Sequence, residues 1–328
     1  VTPAFLTDRN LSDIMLMAAT RLTIGNGICP ESCYPLTATF GVLASNSADA
    51  ELGFRLSRFG AALADNQPQL GLSGRALLIF GLHVTPWVRP IRSGQPFMQR
   101  SLAICLAVGD LAFAAYSHRG LLSVALFCGD PLPEVSLHAE QALAFAEASG
   151  IRLSAEFLSL QRNLALGLMG CDDEHSFEVP ASIGPLPSHV KGPLGTFFYY
   201  ATQIQLNLLA GRHDIALAFA EHADQLSWCV RAYSEFTEYR FYTGLAHAAA
   251  HHASGSDREK HVNGLREQHR KFTIWSARCP ANFAARHALL AAEIARIEGR
   301  ELKAEQLYEE SIRLARDAGF VQIEAIAA

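Results

Sequence analysis

The stretch that decides the fold lies near the end of the sequence and reads AARHALLAAEIARIE (284–298), GR (299–300) and ELKAEQLYEESIRLARDA (301–318). Neither long segment contains Gly or Pro, and both are rich in strong helix formers. On one side of the second segment, apolar and small residues recur at helical spacing: Ala304, Leu307, Tyr308, Ser311, Ile312 and Ala315. The pattern predicts two amphipathic helices joined at Gly299-Arg300 as a helical hairpin.

The end of this hairpin carries a helix-closing signal. We expect Gly319 to take the left-handed conformation that ends a helix, with Phe320 folding back on the last turn. Small residues at 304, 311 and 315 would let a neighbouring helix approach closely. Because one amphipathic hairpin cannot bury its apolar face alone, several must stack.

Earlier segments repeat this hairpin. The second helix spans 20 positions from Gly299 to Gly319 and 21 positions from Gly129 to Gly150. Small residues stand five and twelve positions after Gly211, as they do after Gly299, and a tetratricopeptide second helix favours small residues at these places. The sequence therefore predicts an all-α, tetratricopeptide-like α-solenoid of stacked antiparallel helical hairpins.

The chain is predicted to divide at a segment without helical periodicity. Residues 1–169 read as N-terminal helical repeats, and 196–328 as C-terminal tetratricopeptide-like repeats. Between them, 170–195 contains four prolines and four glycines and reads as a long loop or a linker. One continuous superhelix across both repeat regions is the alternative.

Composition restricts the class of protein. Half of the 328 residues are hydrophobic and 18% are charged, and the net charge of -5 gives no electrostatic reason to expect nucleic acid as a partner. The longest unbroken apolar run, Leu102–Val108, is far shorter than the roughly 20 residues that span a bilayer, so no membrane segment is predicted. Seven scattered cysteines fit a reducing cytoplasm. With no signal peptide visible and Val1 rather than Met in first place, we expect a piece of a longer cytoplasmic protein.

Motifs that carry chemistry are not found, so we predict no catalytic residue and no cofactor. The four lysines (191, 260, 271 and 303) follow no phosphate-loop pattern, and no G-x-G-x-x-G, G-x-S-x-G or H-E-x-x-H is present. His118-Arg119-Gly120 is the nearest approach to a kinase catalytic loop, but it lacks the carboxylate base.

Two clusters could hold a metal. Cys29 and Cys33 have no second pair at zinc spacing. His247 and His251, at i and i+4, share one helix face and could bind a divalent metal, with Glu238 about two and a half turns earlier. The alternative interpretation is a histidine cluster near the negative end of the helix dipole. We predict no metal site, and His247 and His251 remain the candidates.

Paired aromatic residues could line a ligand groove: Phe197-Phe198, Tyr199-Tyr200 and Phe241-Tyr242. Aromatic residues at such spacings more often form core.

The sequence resembles one bacterial family through a set of residues for which we expect structural roles: Trp275, Cys279, Pro280, Asn282, Phe283, Gly299, Ala304, Tyr308 and Gly319. Phe241-Tyr242, Tyr34 and Gly25-Asn26 add to this resemblance. The family is the large multidomain sensor histidine kinases, which begin with a serine/threonine-kinase-like domain and an AAA-type signal-transduction ATPase. The chain resembles the tetratricopeptide-like region between that ATPase and the GAF and histidine kinase domains. Ala281, where a carboxylate is expected, and the His-rich 247–252 segment depart from the family pattern.

The resemblance implies a non-catalytic regulatory or interaction module of a two-component signal-transduction kinase. Its partners would be a protein or peptide, sister domains of the parent chain, or a small-molecule ligand. One alternative is the sensor arm of an ATPase-type transcription regulator. Another is a metal-dependent enzyme that uses His247 and His251, which requires convergent carboxylates and a pocket.

Overall fold

The computed structural model describes residues 8–43, 50–67, 71–170, 184–230, 232–253 and 257–328, and all regular secondary structure within these ranges is helical. The all-α prediction is therefore confirmed. The α-helices in chain order are α1 Arg9–Asn26, α2 Cys33–Ala38, α3 Phe40–Leu43, α4 Ala50–Asp65, α5 Gly71–Ile79, α6 Gln95–Val108, α7 Leu111–Cys128, α8 Leu132–Ala148, α9 Arg152–Met169, α10 Gly192–Leu209, α11 His213–Leu226, α12 Ser234–Ala253, α13 Arg258–Arg278, α14 Pro280–Ile297, α15 Glu301–Ala318 and α16 Val321–Ala327.

The chain forms two compact units. The N-terminal unit comprises Val1–Leu122, Gln141–Ala155 and Arg231–Tyr233. The C-terminal unit comprises Ser123–Glu140, Glu156–Val230 and Ser234–Ala328. Of the predicted linker, 171–183 lies outside the described residues, and the part from Gly192 onward belongs to α10.

The N-terminal unit packs short helices around an aromatic and aliphatic core that includes Phe40, Leu77 and Phe80. Its helices approach closely because small residues face their neighbours. The Ser57 hydroxyl of α4 donates to the Thr37 carbonyl of α2 at 2.7 Å, and the Ser101 hydroxyl of α6 donates to the Gly74 carbonyl of α5 at 2.6 Å. After α5 the backbone passes through a π-helical turn and two 3-10 turns (Phe80–Val84, Thr85–Trp87 and Ile91–Gly94).

In the C-terminal unit, each helix from α10 to α15 packs on the helix that follows it in the chain. The hairpin from which the fold was predicted is present as α14 and α15, with Gly319 left-handed at φ 73°. The Phe320 amide donates to the Ala315 carbonyl at 2.8 Å, which is the expected helix closure. Small residues do allow close approach, since the Ser311 hydroxyl donates to the Ala285 carbonyl of α14 at 2.9 Å.

The same closure ends several other helices of the described chain. In each case the amide following a glycine donates to the carbonyl five residues before it, at 2.8 to 3.0 Å, as at Asp110, Asp130, Ile151, Arg212 and Arg300. These bonds satisfy carbonyls that a helix end otherwise leaves without partners. The repeated closure gives the short turns that the sequence pattern predicted.

One helix of the described residues, α7, is long and apolar enough to cross a membrane by length and composition alone. Of its 18-residue window, 61% is buried inside the protein, and the core helix of a folded domain meets the same criterion.

Candidate ligand cavity

The C-terminal unit contains a cavity of about 370 Å³. Its wall is built by residues of α7, α9, α10, α12 and α16, together with the turn between α7 and α8 and the first residue of α8. About half of the lining residues are apolar: Leu126, Phe127, Leu132, Leu160, Leu164, Leu168, Phe198, Ala201, Leu209, Val321, Ala325 and Ile326. Leu209 and Val321 are 51% and 63% exposed, so they mark the outer rim.

Glu235 presents a carboxylate on one side of the cavity, at the start of α12. It accepts hydrogen bonds from the hydroxyl of Ser123 and, at 3.2 Å, from that of Ser234. The Gln161 side-chain amide donates to Ser123 at 2.9 Å, so the hydroxyl accepts from one neighbour and donates to the other. These hydrogen bonds fix the orientation of the Glu235 carboxylate.

Glu238, one turn further along α12, lines the same cavity and forms an ion pair with a side chain behind it. Its Oε1 lies 2.8 Å from Nε of Arg286, which is 0% exposed. The guanidinium also donates to the Phe127 carbonyl at 3.0 Å and lies 3.9 Å above the centroid of the Phe127 ring. Burial raises the pKa of the Glu238 carboxyl, and the positive charge of Arg286 opposes that shift.

Tyr242 completes the polar side of the cavity one turn beyond Glu238. Its hydroxyl accepts a hydrogen bond from the Gln205 side-chain amide of α10 at 3.0 Å. Burial raises the pKa of the Tyr242 phenol, and the negative charge of Glu238 adds to the shift. The phenol is therefore a neutral hydrogen-bonding group at physiological pH.

Two contacts hold the walls in place. Between α9 and α10, the buried Glu156 carboxylate accepts from the Lys191 amide at 3.0 Å, where the positive end of the α10 dipole favours negative charge. On the opposite side, the Gln322 side-chain amide of α16 donates to the Phe127 carbonyl at 2.6 Å. The Gln322 side chain also lies so close to Gly129 that a β-carbon there would overlap its oxygen.

The candidate metal histidines lie elsewhere in the C-terminal unit. His247 of α12 faces α13, where its Nδ1 lies 3.2 Å from Nδ1 of His261, and burial lowers the pKa of His247 to about 4. His251 is half-buried further along α12. Among the described residues, His, Cys, Asp and Glu side chains do not come together in groups of three or more that could hold a metal ion.

The residues for which the family resemblance implies structural roles, from Trp275 to Gly319, lie in or next to the packing between α13, α14 and α15. Trp275 packs on Phe272 and Phe283, with ring centroids 4.9 and 5.9 Å away. Asn282 is buried and donates to the Cys279 sulfur at 3.3 Å, next to Pro280 at the start of α14. The other members close or pack the last hairpin: Gly299 and Gly319 with positive φ, buried Ala304, and Tyr308, whose hydroxyl donates to Glu293.

The aromatic pairs divide between core and cavity. Phe198 and Tyr242 line the cavity, whereas Phe197, Tyr199 and Phe241 are core residues.

Sequence reasoning missed Glu235, Gln161 and Arg286 as members of a site. The spacing of Glu235, Glu238 and Tyr242, with steps of three and four residues, was the available signal, since it places the three side chains on one helix face.

No protein-family model matches the chain, and no curated protein matches it.

Proposed function

We propose that this chain is a non-catalytic regulatory module of a multidomain signal-transduction kinase, which binds a small ligand and relays its presence to a neighbouring domain. The observation that carries the proposal is the cavity of the C-terminal unit. A concave site of a few hundred cubic ångströms, with apolar walls and a few oriented polar groups, is the usual form of a small-molecule site.

The helical hairpins support a tetratricopeptide-like α-solenoid as the architecture of the module. Repeated glycine closures and small residues between α14 and α15 are what stacked hairpins require. Such arrays act through binding surfaces rather than through catalytic groups. By the family resemblance, the sister domains would be an ATPase, a GAF domain and a histidine kinase, and the location would be the cytoplasm.

The relay would run through α16. This helix forms one wall of the cavity with Val321, Gln322, Ala325 and Ile326. A ligand that contacts α16 favours the arrangement in which that helix is docked, because binding shifts the population toward the state with more contacts. By the family resemblance, the GAF and histidine kinase domains would lie C-terminal to α16 in the parent protein.

A thermal-shift screen of small metabolites and peptides on this chain tests the proposal. Ligands that occupy the cavity should raise the melting temperature by mass action. Ala201→Phe would fill the cavity and should abolish the shift, whereas Ala277→Phe, at an exposed site of α13, should leave it unchanged. A ligand whose effect is the same in both variants would argue against the cavity as the sensing site. Stabilisation only by separately purified sister domains would make the chain a relay without a ligand.

A further inference from the structure

We infer that the cavity of the C-terminal unit binds a small neutral molecule, in which an apolar body carries one uncharged head group that both donates and accepts a hydrogen bond, as an amide or an alcohol does. The inference rests on the proposed function, because it takes the cavity to be a ligand site, and it adds the chemical class of the ligand. It is drawn from one hydrogen bond at the cavity, from the partners of the acidic side chains and from the apolar wall.

The hydrogen bond between Gln205 and Tyr242 leaves further hydrogen-bonding capacity at the cavity. Both residues line it, and the Gln205 side-chain amide donates to the Tyr242 hydroxyl at 3.0 Å. The phenol then retains its own proton for donation, and the Gln205 carbonyl oxygen retains its acceptor sites. Among the described residues, this hydrogen bond is the only one that either side chain forms.

The same capacity remains if the Gln205 carboxamide is turned over. The phenol would then donate to the amide oxygen, and the phenol oxygen and the amide N–H groups would be available instead. In both orientations the pair offers one donor and one acceptor. A ligand head group with a carbonyl and an N–H, or with a hydroxyl, can pair with both.

Tyr242 is the buried member of this pair, since it is only 2% exposed. Burial raises the pKa of its phenol, so the hydroxyl is neutral at physiological pH. A buried hydroxyl whose proton has no acceptor is unfavourable relative to the hydrated group. A ligand oxygen at this position would supply the acceptor, which favours binding of a ligand with a carbonyl or hydroxyl group.

The acidic side chains of the lining do not require a charged ligand. Glu238 is already paired with Arg286, whose Nε lies 2.8 Å from its carboxylate oxygen. Glu235 accepts hydrogen bonds from two serine hydroxyls, and Asp130 also interacts with other residues of the protein. Lys and Arg do not occur in the described lining, so an anionic head group would meet no cation there. Because an ionised group is costly to transfer from water without an opposite charge, a neutral head group fits best.

The rest of the wall fits an apolar body. Leu160, Leu164 and Leu168 lie one turn apart along α9 and form an apolar strip of the lining, and Ala325 and Ile326 contribute from α16. An apolar cavity of roughly 150 Å³ can hold a benzene molecule. At about 370 Å³, this cavity has room for a ring together with a short chain and its head group.

The test uses four probes that share a phenyl ring and differ in the head group: phenylacetamide, phenylacetate, 2-phenylethylamine and ethylbenzene. Isothermal titration of this chain at pH 7.5 should show both charged probes binding roughly tenfold more weakly than phenylacetamide, because they lose hydration without gaining an opposite charge. Ethylbenzene, which has no head group, reports on the apolar wall alone.

Tyr242→Phe removes the phenol hydroxyl and retains the ring. It should weaken phenylacetamide binding roughly fivefold, the usual effect of one neutral hydrogen bond, and leave ethylbenzene binding unchanged. Tyr200→Phe is the matched control, because Tyr200 lies on α10 but does not line the cavity. It should leave the binding of both probes unchanged.

The outcomes separate this inference from the proposed function. Tighter binding of either charged probe, or binding of ethylbenzene alone, overturns the neutral head group and leaves the ligand-sensing function standing. Equal phenylacetamide binding by the unmodified chain and Tyr242→Phe also overturns the inference. So does failure of all four probes up to their solubility, while the metabolite screen and sister-domain assays decide the function separately. Should Tyr242→Phe fail to fold, Gln205→Leu replaces it: weakened amide binding supports the inference, and undiminished binding overturns it.

Discussion

The carboxylate of Glu238 lies 2.8 Å from the guanidinium of Arg286, and Arg286 has no exposed surface. The guanidinium is also surrounded by the rings of Phe127 and Phe320, with centroids 3.9 and 4.9 Å away. These contacts join α14 to α12, to the end of α7 and to the residue before α16. The pair therefore lies where the cavity wall meets the core of the C-terminal unit.

Removing one member of this pair should destabilise the unit strongly. Arg286→Met keeps much of the side-chain volume but leaves Glu238 and the Phe127 carbonyl without the guanidinium. Breaking a buried ion pair in this way costs about 3–5 kcal/mol of unfolding free energy. Urea unfolding followed by circular dichroism measures the loss.

The control for this experiment is an exposed pair. Arg313 and Asp317 are 63% and 67% exposed, so Arg313→Met should change the unfolding free energy by less than about 1 kcal/mol. Equal effects of Arg286→Met and Arg313→Met would contradict a structural role for the buried pair.

His247 should make stability depend on pH in the acid range. Burial, with the nearby charges of His261 and Lys260 assisting, lowers the folded-state pKa of His247 to about 4, against a usual value of 6.5. Between these values the unfolded chain binds a proton that the folded chain does not. The unfolding free energy therefore falls as the pH drops from 6.5 toward 4.

His247→Gln removes that proton-binding group and should flatten the decline. Unfolding free energies of both proteins at several pH values from 4 to 7 give the comparison. His269, whose pKa burial also lowers to about 4, remains in both proteins, so the variant should keep part of the slope. Identical slopes would show that His247 is not buried in neutral form.

Gly129 should tolerate alanine less well than Gly299. Both glycines have φ near 73°, where an L-residue costs roughly 1–2 kcal/mol. At Gly129 a β-carbon would also overlap Gln322 of α16, whereas at Gly299 no atom lies within 4 Å. We expect Gly129→Ala to cost roughly 1 kcal/mol more than Gly299→Ala in thermal or urea unfolding. A smaller loss at Gly129 would place α16 away from this turn.

The cysteines should differ sharply in reactivity. Cys29 is exposed, whereas Cys33, Cys105, Cys128 and Cys279 are buried, and burial raises the pKa of the Cys105 thiol to about 11. A thiol reagent on the native protein in a Cys171→Ser background should modify Cys29 first. Mass spectrometry identifies the site, and early labelling of Cys105 would contradict its burial.

The sequence predicted the helices of the last hairpin because their signals are local. Helical spacing places Ala304, Ser311 and Ala315 on one buried face. A glycine after each helix can take the left-handed conformation that closes it, and this depends only on residues close by in the sequence. The first helix was less well placed. The sequence pattern predicts a helix over residues 10–21 and a turn over residues 23–27, whereas α1 begins after its N-cap Asp8 and continues to Asn26.

The cavity was not predictable in the same way. Its polar groups come from α7, α9, α10 and α12, and only packing brings Ser123 to Glu235, 112 residues apart. Arg286 looks like a surface residue in the sequence, because arginine is rarely fully buried without a partner. That partner, Glu238, lies 48 positions earlier, beyond the reach of any helical period.

The shortness of α16 has a consequence for hydrogen exchange. Seven residues, Val321–Ala327, are too few to form a stable helix alone in water, so the helix persists only while Phe320, Ile323 and Ala327 stay buried. Its amides should therefore exchange through local opening rather than through unfolding of the whole unit. A molecule seated against this wall would slow that exchange. Ligand binding in the cavity would thus be measured as reduced deuterium uptake in one peptide, the one that contains α16.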